Sequence, residues 1–210
     1  MARKTAAEAE ETRQRIMEAA VGVFASQGVS DTTLNQIARK AGVTRGAVYW
    51  HFSGKQELLQ AVLVSRRHPL ELEFSAGGDI ELAWDTVVSA VVDAVHSPQS
   101  KQFSEILIYR GLNDSGIIDS RLVEASDRFV QYLHQVFRHA IFRGELPSTL
   151  DLHTCIAMFK GLITGLLYEG LRNKDQPVQI IQVALRSFLA LLKKPPPHLL
   201  RDEARDLAGP

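Results

Sequence analysis

The chain has 210 residues, 45% hydrophobic and 23% charged, with 24 Lys and Arg against 24 Asp and Glu, so a strongly polyanionic or polycationic molecule is excluded. Its polar start, MARKTAAEAEETRQR, is no signal peptide, and no uninterrupted apolar run approaches the roughly 18 residues of a membrane span. Cys155 is the only cysteine, which leaves no intrachain disulfide and no cysteine metal site, and the expected localisation is cytoplasmic.

The balance of charge hides an asymmetry. Residues 1–55 carry eight Lys and Arg against five Asp and Glu, while the remainder is acidic by the same margin. A basic N-terminal part on an acidic body suits a polyanionic partner, though it decides nothing alone.

In chain order, almost every segment reads as helix. From Ala9 to Gln27 the apolar residues Ile16, Ala20, Val23 and Phe24 form one stripe at helical spacing, and Gly28 supplies the stop. Thr32 and Thr33 are N-cap candidates for a second helix whose stripe is Leu34, Ile37, Ala38 and Ala41. Gly42 ends it. Thr44 then caps a short third helix that reaches about Trp50, and Ser53-Gly54 breaks the pattern. Lys55 opens a fourth helix, with Leu58, Leu59, Val62 and Leu63 on its buried side. The stretch from His68 to Asp79 reads as a loop. Further helices are expected near 80–96, 99–111, 115–143, 149–172 and 176–193, and the chain from Pro195 to Pro210 reads as a disordered tail. The fold class is all-α, with no strand-period segment and no internal repeat. The expected domains are 1–66, 67–194 and the tail 195–210.

Two short helices joined by a turn containing Gly form a helix-turn-helix, here spanning about 33–52. In that motif the second helix enters the DNA major groove, with its N-terminal residues on base edges. Its inner face must pack, which Val43, Ala47 or Val48, and Phe52 can do. Its outer face must be small yet carry donors, and Thr44, Arg45, Gly46 and Ala47 meet that need. Arg45 can grip guanine O6 and N7 with two bonds. Tyr49, His51 and Lys55 lie further along, where a phosphate strand would pass. Each of these residues also has a plainer reading. Tyr49 and Trp50 could be core residues, and Trp50 suits packing as well as contact. His51 could be an ordinary surface histidine, and Arg45 a solvated charge. Their joint occurrence in register with the Thr33 cap, the Gly42 turn and the Lys55 start favours the DNA reading.

The stretch TTLNQIARKAGVTRGAVYWHFSGKQELL resembles the DNA-binding signature of TetR-type repressors, and ETRQRIMEAAVGVFASQGV fits their opening helix. The resemblance is specific over about residues 10–66 and architectural beyond. Within the family the chain is similar to the AcrR-type branch, whose members commonly repress multidrug efflux operons. The segments HSPQSKQFSEILIYRGL and GLITGLLYEGL resemble MexZ-type regulators of resistance-nodulation-division (RND) pumps. The resemblance implies a homodimeric repressor on a palindromic double-stranded operator. It implies Thr33 on phosphate and Asn35 on a base or the backbone. It places Thr44, Arg45, Gly46 and Ala47 on bases, and Tyr49, His51 and Lys55 on phosphates; Trp50 is counted with this surface.

In the body, the helix from Thr149 to Arg172 is apolar on nearly all sides, and such a helix must be covered all round. Gly161 and Gly165 permit close helix approach. With Ile181, Ala184 and Phe188 of the next helix they are expected at a four-helix dimer interface; a thick monomeric core is the plainer alternative. Trp84, Phe103, Tyr109, Phe129, Tyr132 and Phe137 are candidates to line an effector pocket, for a small-molecule inducer or an antirepressor protein as effector. No cofactor and no metal site are expected: His134 and His139 are five apart, off one helical face, and no HExxH or nucleophile motif is present. The rivals are a helical binding module without DNA binding, and a helical enzyme.

Overall fold

The computed structural model describes residues 6–110, 116–173 and 177–201. The described residues hold the helices α1 (Ala6–Gln27), α2 (Leu34–Ala41), α3 (Arg45–His51), α4 (Lys55–Ser65) and α5 (Ile80–His96), then α6 (Pro98–Glu105), α7 (Gly116–Phe142), α8 (Leu152–Arg172) and α9 (Val178–Lys193). A π-helical segment, Ile106–Arg110, continues α6, and a short 3₁₀ turn covers Pro197–Leu199. Among the described residues there is no strand, only one isolated bridge between Leu150 and Leu200. The punctuation expected at 111–115 and at 174–176 lies outside the described residues.

The chain divides into two compact units. The first comprises Met1–His68 with Pro98–Val123. Its core is built around α1, whose Ile16, Ala20 and Phe24 are fully buried and pack with Ile37, Val48, Leu58, Leu59 and Val62. Phe103, Ile106, Leu107 and Ile118 join the same core. The boundary expected between residues 66 and 67 therefore misses a segment. Residues 98–123 return to the N-terminal helices because α6 and its π-helical continuation press apolar side chains on α1. Phe103, expected in the effector pocket, is 1% exposed in this core and belongs to the first unit.

The second unit comprises Pro69–Ser97 and Glu124–Pro210. Trp84 is its keystone. The ring lies 4.7 Å from Phe159 and 6.3 Å from both Phe137 and Phe188, and its Nε1 donates to the Leu185 carbonyl at 2.8 Å. A buried indole needs such an acceptor, since an orphaned N–H in the core costs about 1–3 kcal/mol. By length and composition α8 is long and apolar enough to cross a membrane, contrary to the reading of the sequence. Its inward residues Ile156, Phe159, Ile163 and Leu167 are core.

The tail departs from expectation. Three prolines do stop α9, but the chain remains ordered to Arg201. Leu199 is 1% exposed, its carbonyl accepts from the Asp151 amide at 2.9 Å, and the Arg201 amide donates to the Thr149 carbonyl at 2.7 Å. One buried leucine and two backbone bonds anchor what composition alone reads as free. Residues 202–210 lie outside the described residues.

Candidate nucleic-acid interface

Local chemistry fixes the two helices of the motif. The Thr33 side chain accepts from the Gln36 amide, and the Gln36 side chain accepts from the Thr33 amide at 2.7 Å, a reciprocal capping box. At the other end Gly42 takes φ 66°, the left-handed conformation that glycine adopts without strain, and the Val43 amide reaches back to the Ala38 carbonyl. Arg15 of α1 donates to the Ala41 carbonyl at 2.7 Å, tying the end of α2 to the core helix. Thr44 then caps α3, accepting from the Ala47 amide at 3.1 Å. Val48 and Phe52 anchor α3, being 0% and 2% exposed.

With that side pinned, the opposite side faces solvent. Asn35, Thr44, Arg45 and Gly46 are exposed, Ala47 is half-buried, and Tyr49 and Trp50 are 46% and 73% exposed. Arg45 donates to the Tyr49 hydroxyl at 3.2 Å, and its guanidinium lies over the Tyr49 ring, 5.2 Å from the centroid. The half-buried His51 meets Trp50 edge-on at 4.5 Å between ring centroids. Exposed Thr33 occupies the N-terminus of α2, where its hydroxyl is engaged with Gln36. These residues stand as one polar and aromatic surface around α3.

Lys55 has a local role that the sequence did not show. Its ammonium donates to the carbonyls of Val29 and Ser30 at 2.7 and 2.8 Å, so it staples the α1–α2 turn to the start of α4. Nearby, the Ser53 amide and hydroxyl both donate to Glu57, and those hydrogen bonds hold the Glu57 carboxyl below its ordinary pKa. Sequence reasoning had no way to see Lys55 as a staple, because its acceptors are main-chain atoms 25 and 26 residues away.

Two further arginines act at α4 and were not singled out from the sequence. Arg121 of α7 donates to the carbonyls of Leu63 and Arg66 at 3.3 and 3.1 Å, supplying donors at the C-terminal end of α4. Arg66 in turn pairs with Glu18 of α1 at 2.5 Å.

The residues expected to bind an effector or a partner fall elsewhere. Trp84, Phe129, Tyr132 and Phe137 lie in the second unit, each 4% exposed or less, and the Tyr132 hydroxyl donates to the Ala83 carbonyl at 3.3 Å. The Tyr109 side chain lies outside the described residues. Gly161 and Gly165 are exposed, and a Cβ at either would meet nothing within 4 Å, so they mediate no close approach inside the chain. Ile181 and Phe188 are turned inward, 0% and 8% exposed, and Ala184 is half-buried. The solvent side of α9 is instead marked by Ile180 and Val183, 52% and 64% exposed, and that of α8 by Met158 and Tyr168.

The capped pair α2 and α3 packed on α1, in a chain that is otherwise helical among the described residues, defines the class of helix-turn-helix transcriptional regulators. The model for bacterial regulatory proteins of the tetR family matches residues 16–62. The regulator SrpR of Pseudomonas putida is 71% identical over 205 residues, covering 98% of this chain and 96% of that protein. Among solved structures, NalD of Pseudomonas aeruginosa, the secondary repressor of the MexAB-OprM multidrug efflux pump, superposes with TM-score 0.70 at 28% identity, over 93% of this chain and 99% of that one. MexZ, a repressor responsible for antibiotic resistance in the same organism, gives TM-score 0.71 at 23% identity, over 92% and 100% of the two chains, a likeness of fold. The chain belongs to the TetR family. It is a transcriptional repressor of that family, related to efflux-pump repressors, and not an enzyme.

Proposed function

We propose that the chain is a cytoplasmic homodimer that reads a palindromic operator through α3, represses an RND multidrug efflux operon and is released by an effector. One observation carries the DNA reading. Thr44, Arg45 and Gly46 face solvent together on a helix whose other side is immobilised by Val48 and Phe52. In this reading those residues and Ala47 meet base edges. Thr33, Asn35, Tyr49, Trp50 and His51 line the sugar-phosphate path, and Lys55 adds its remaining donor there while holding the frame. The test is a fluorescence-anisotropy titration with duplexes from the DNA upstream of the gene. Arg45→Ala should weaken the bound duplex by about 1–3 kcal/mol and relax one base pair per half-site. Unchanged affinity and base preference would sink the assignment and favour a helical binding module without DNA binding.

The dimer seam of this reading is the outer side of α8 and α9. Met158, Gly161, Gly165 and Tyr168 recur at helical spacing on one, and Ile180 and Val183 on the other. Apolar side chains left exposed beside glycines without a Cβ suit close packing against a second copy. The seam thus keeps the two glycines and replaces Ile181 and Phe188 by their outward neighbours.

Release requires the second unit to bias the first. The effector, a small molecule or an antirepressor protein, acts in this reading on the aromatic region around Phe129 and Tyr132. The helix α7 supports such coupling, because it begins in the first unit, where Arg121 holds the end of α4, and continues into the second. Coupling is reciprocal, so operator DNA should weaken effector binding by the same factor, typically 5–150-fold. Calorimetry of an inducing compound with and without saturating operator duplex reads that factor, and equal affinities would rule out direct allosteric release.

A further inference from the structure

We infer that Tyr49 is a specificity-determining residue that acts through Arg45, holding its guanidinium in the pose that reads a base. The inference rests on the proposed role of α3 in DNA reading and deepens it. The two residues are four apart on a helix, so their side chains lie on one strip of its surface. The geometry is two-point. Arg45 donates one hydrogen bond to the Tyr49 hydroxyl at 3.2 Å, and its guanidinium Cζ lies over the ring, 5.2 Å from the centroid. Among the described residues Arg45 has no other hydrogen-bond partner, and both side chains are exposed.

The consequence follows from the flexibility of arginine. A free side chain of this length samples many rotamers, and fixing it on a base edge sacrifices that freedom. A contact formed before DNA arrives lowers the loss, the general effect of preorganisation. Guanidinium has five N–H donors in a planar fork, so one spent on Tyr49 leaves enough for the two-bond grip on guanine O6 and N7. The hydroxyl accepts from Arg45 and so keeps its own hydrogen for a phosphate. Tyr49 can therefore serve the backbone and the base-reading residue at once. A phosphate contact alone would carry no sequence information. What separates the two roles is whether losing Tyr49 erodes base discrimination.

The experiment is selection and sequencing from a duplex pool randomised over more than two helical turns, run with the full chain. Position-by-position base preference is then measured for wild type, Arg45→Ala, Tyr49→Phe, Tyr49→Leu and the Arg45→Ala/Tyr49→Leu pair. Tyr49→Phe keeps the ring and loses the hydroxyl; Tyr49→Leu loses both. Arg45→Ala should abolish a discrimination of about 5- to 150-fold at one base pair per half-site, the range of a good bidentate pair. Tyr49→Phe should lower preference at that same base pair, Tyr49→Leu should lower it further, and the double variant should match Arg45→Ala there. A uniform loss of affinity in both Tyr49 variants, with preference at that base pair intact, would overturn the inference and leave Tyr49 a phosphate contact. Unaltered preference in Arg45→Ala would overturn the underlying reading of α3 and this inference with it.

Discussion

The two tryptophans of the chain stand in regions built on opposite rules. Trp84, 1% exposed, stacks among Phe137, Phe159 and Phe188 and gives its N–H to the Leu185 carbonyl. Trp50, 73% exposed, sits on α3 among an arginine, a tyrosine and a histidine, beside small residues. Around Trp84 every ring adds apolar area to one core. Around Trp50 the apolar area stays in water while the opposite side of the same short helix is fully buried. Burial is the main source of folding stability, so a large ring left outside serves some purpose other than the fold. The contrast teaches that an aromatic residue is informative by its company. Rings with rings mark a core, and rings with donors and small residues mark a contact surface.

The largest expected effect tests that contrast directly. Trp84→Ala should lower unfolding free energy by about 3–5 kcal/mol, whereas Trp50→Ala should change it by no more than about 0.5 kcal/mol. Urea unfolding followed by circular dichroism reads both. Comparable losses in the two variants would erase the distinction between the regions.

A second pair of substitutions sharpens it on α9. Phe188→Glu places a charge inside the aromatic cluster and should unfold the second unit. Val183→Glu places the same charge on the solvent side, where the residue is 64% exposed, and should leave the monomer folded while abolishing the proposed dimer. Light scattering at micromolar concentration, with circular dichroism on the same samples, separates the two results. A Val183→Glu protein that remains dimeric would remove this side of α9 from the seam.

Smaller effects are expected in the frame of α3. Thr44→Ala removes the side-chain acceptor of the Ala47 amide and should cost about 0.5–2 kcal/mol of stability. Lys55→Ala removes the staple to Val29 and Ser30 and should cost about 1 kcal/mol. Denaturation midpoints measure these losses. The salt dependence of DNA binding shows which role of Lys55 dominates. A phosphate contact predicts a slope smaller by about one, and a pure staple predicts an unchanged slope.

Local structure was legible in the sequence, and the reason is physical. The Thr33 cap, the Gly42 stop and the Thr44 cap act over three or four residues, so the chain order of residue types already contains them. The buried Val48 and Phe52 and the exposed Thr44 to Gly46 follow from the same register. Long-range placement was not legible. Nothing near Phe103 says that α6 returns to α1, and nothing near Lys55 names its carbonyl acceptors. Where apolar stripes are as wide as those of α8 and α9, composition cannot say which part of the stripe the chain itself covers. That is why Phe188 and Ile181 read as seam residues and prove to be core, while Ile180 and Val183 face out. The order of Leu199 and Arg201 escaped for the same reason, since their partners lie near Thr149 and Asp151.

In the proposed complex, two copies of this chain place two α3 helices in successive major grooves of one operator. Hydroxyl-radical footprinting on the DNA upstream of the gene, with the full chain at increasing concentration, tests it most directly. Two protected half-sites related by a dyad are expected, appearing together, with centres about 10–10.5 base pairs apart or a multiple of that. Protection of a single site without a dyad, or no protection on any regulated promoter, would contradict it.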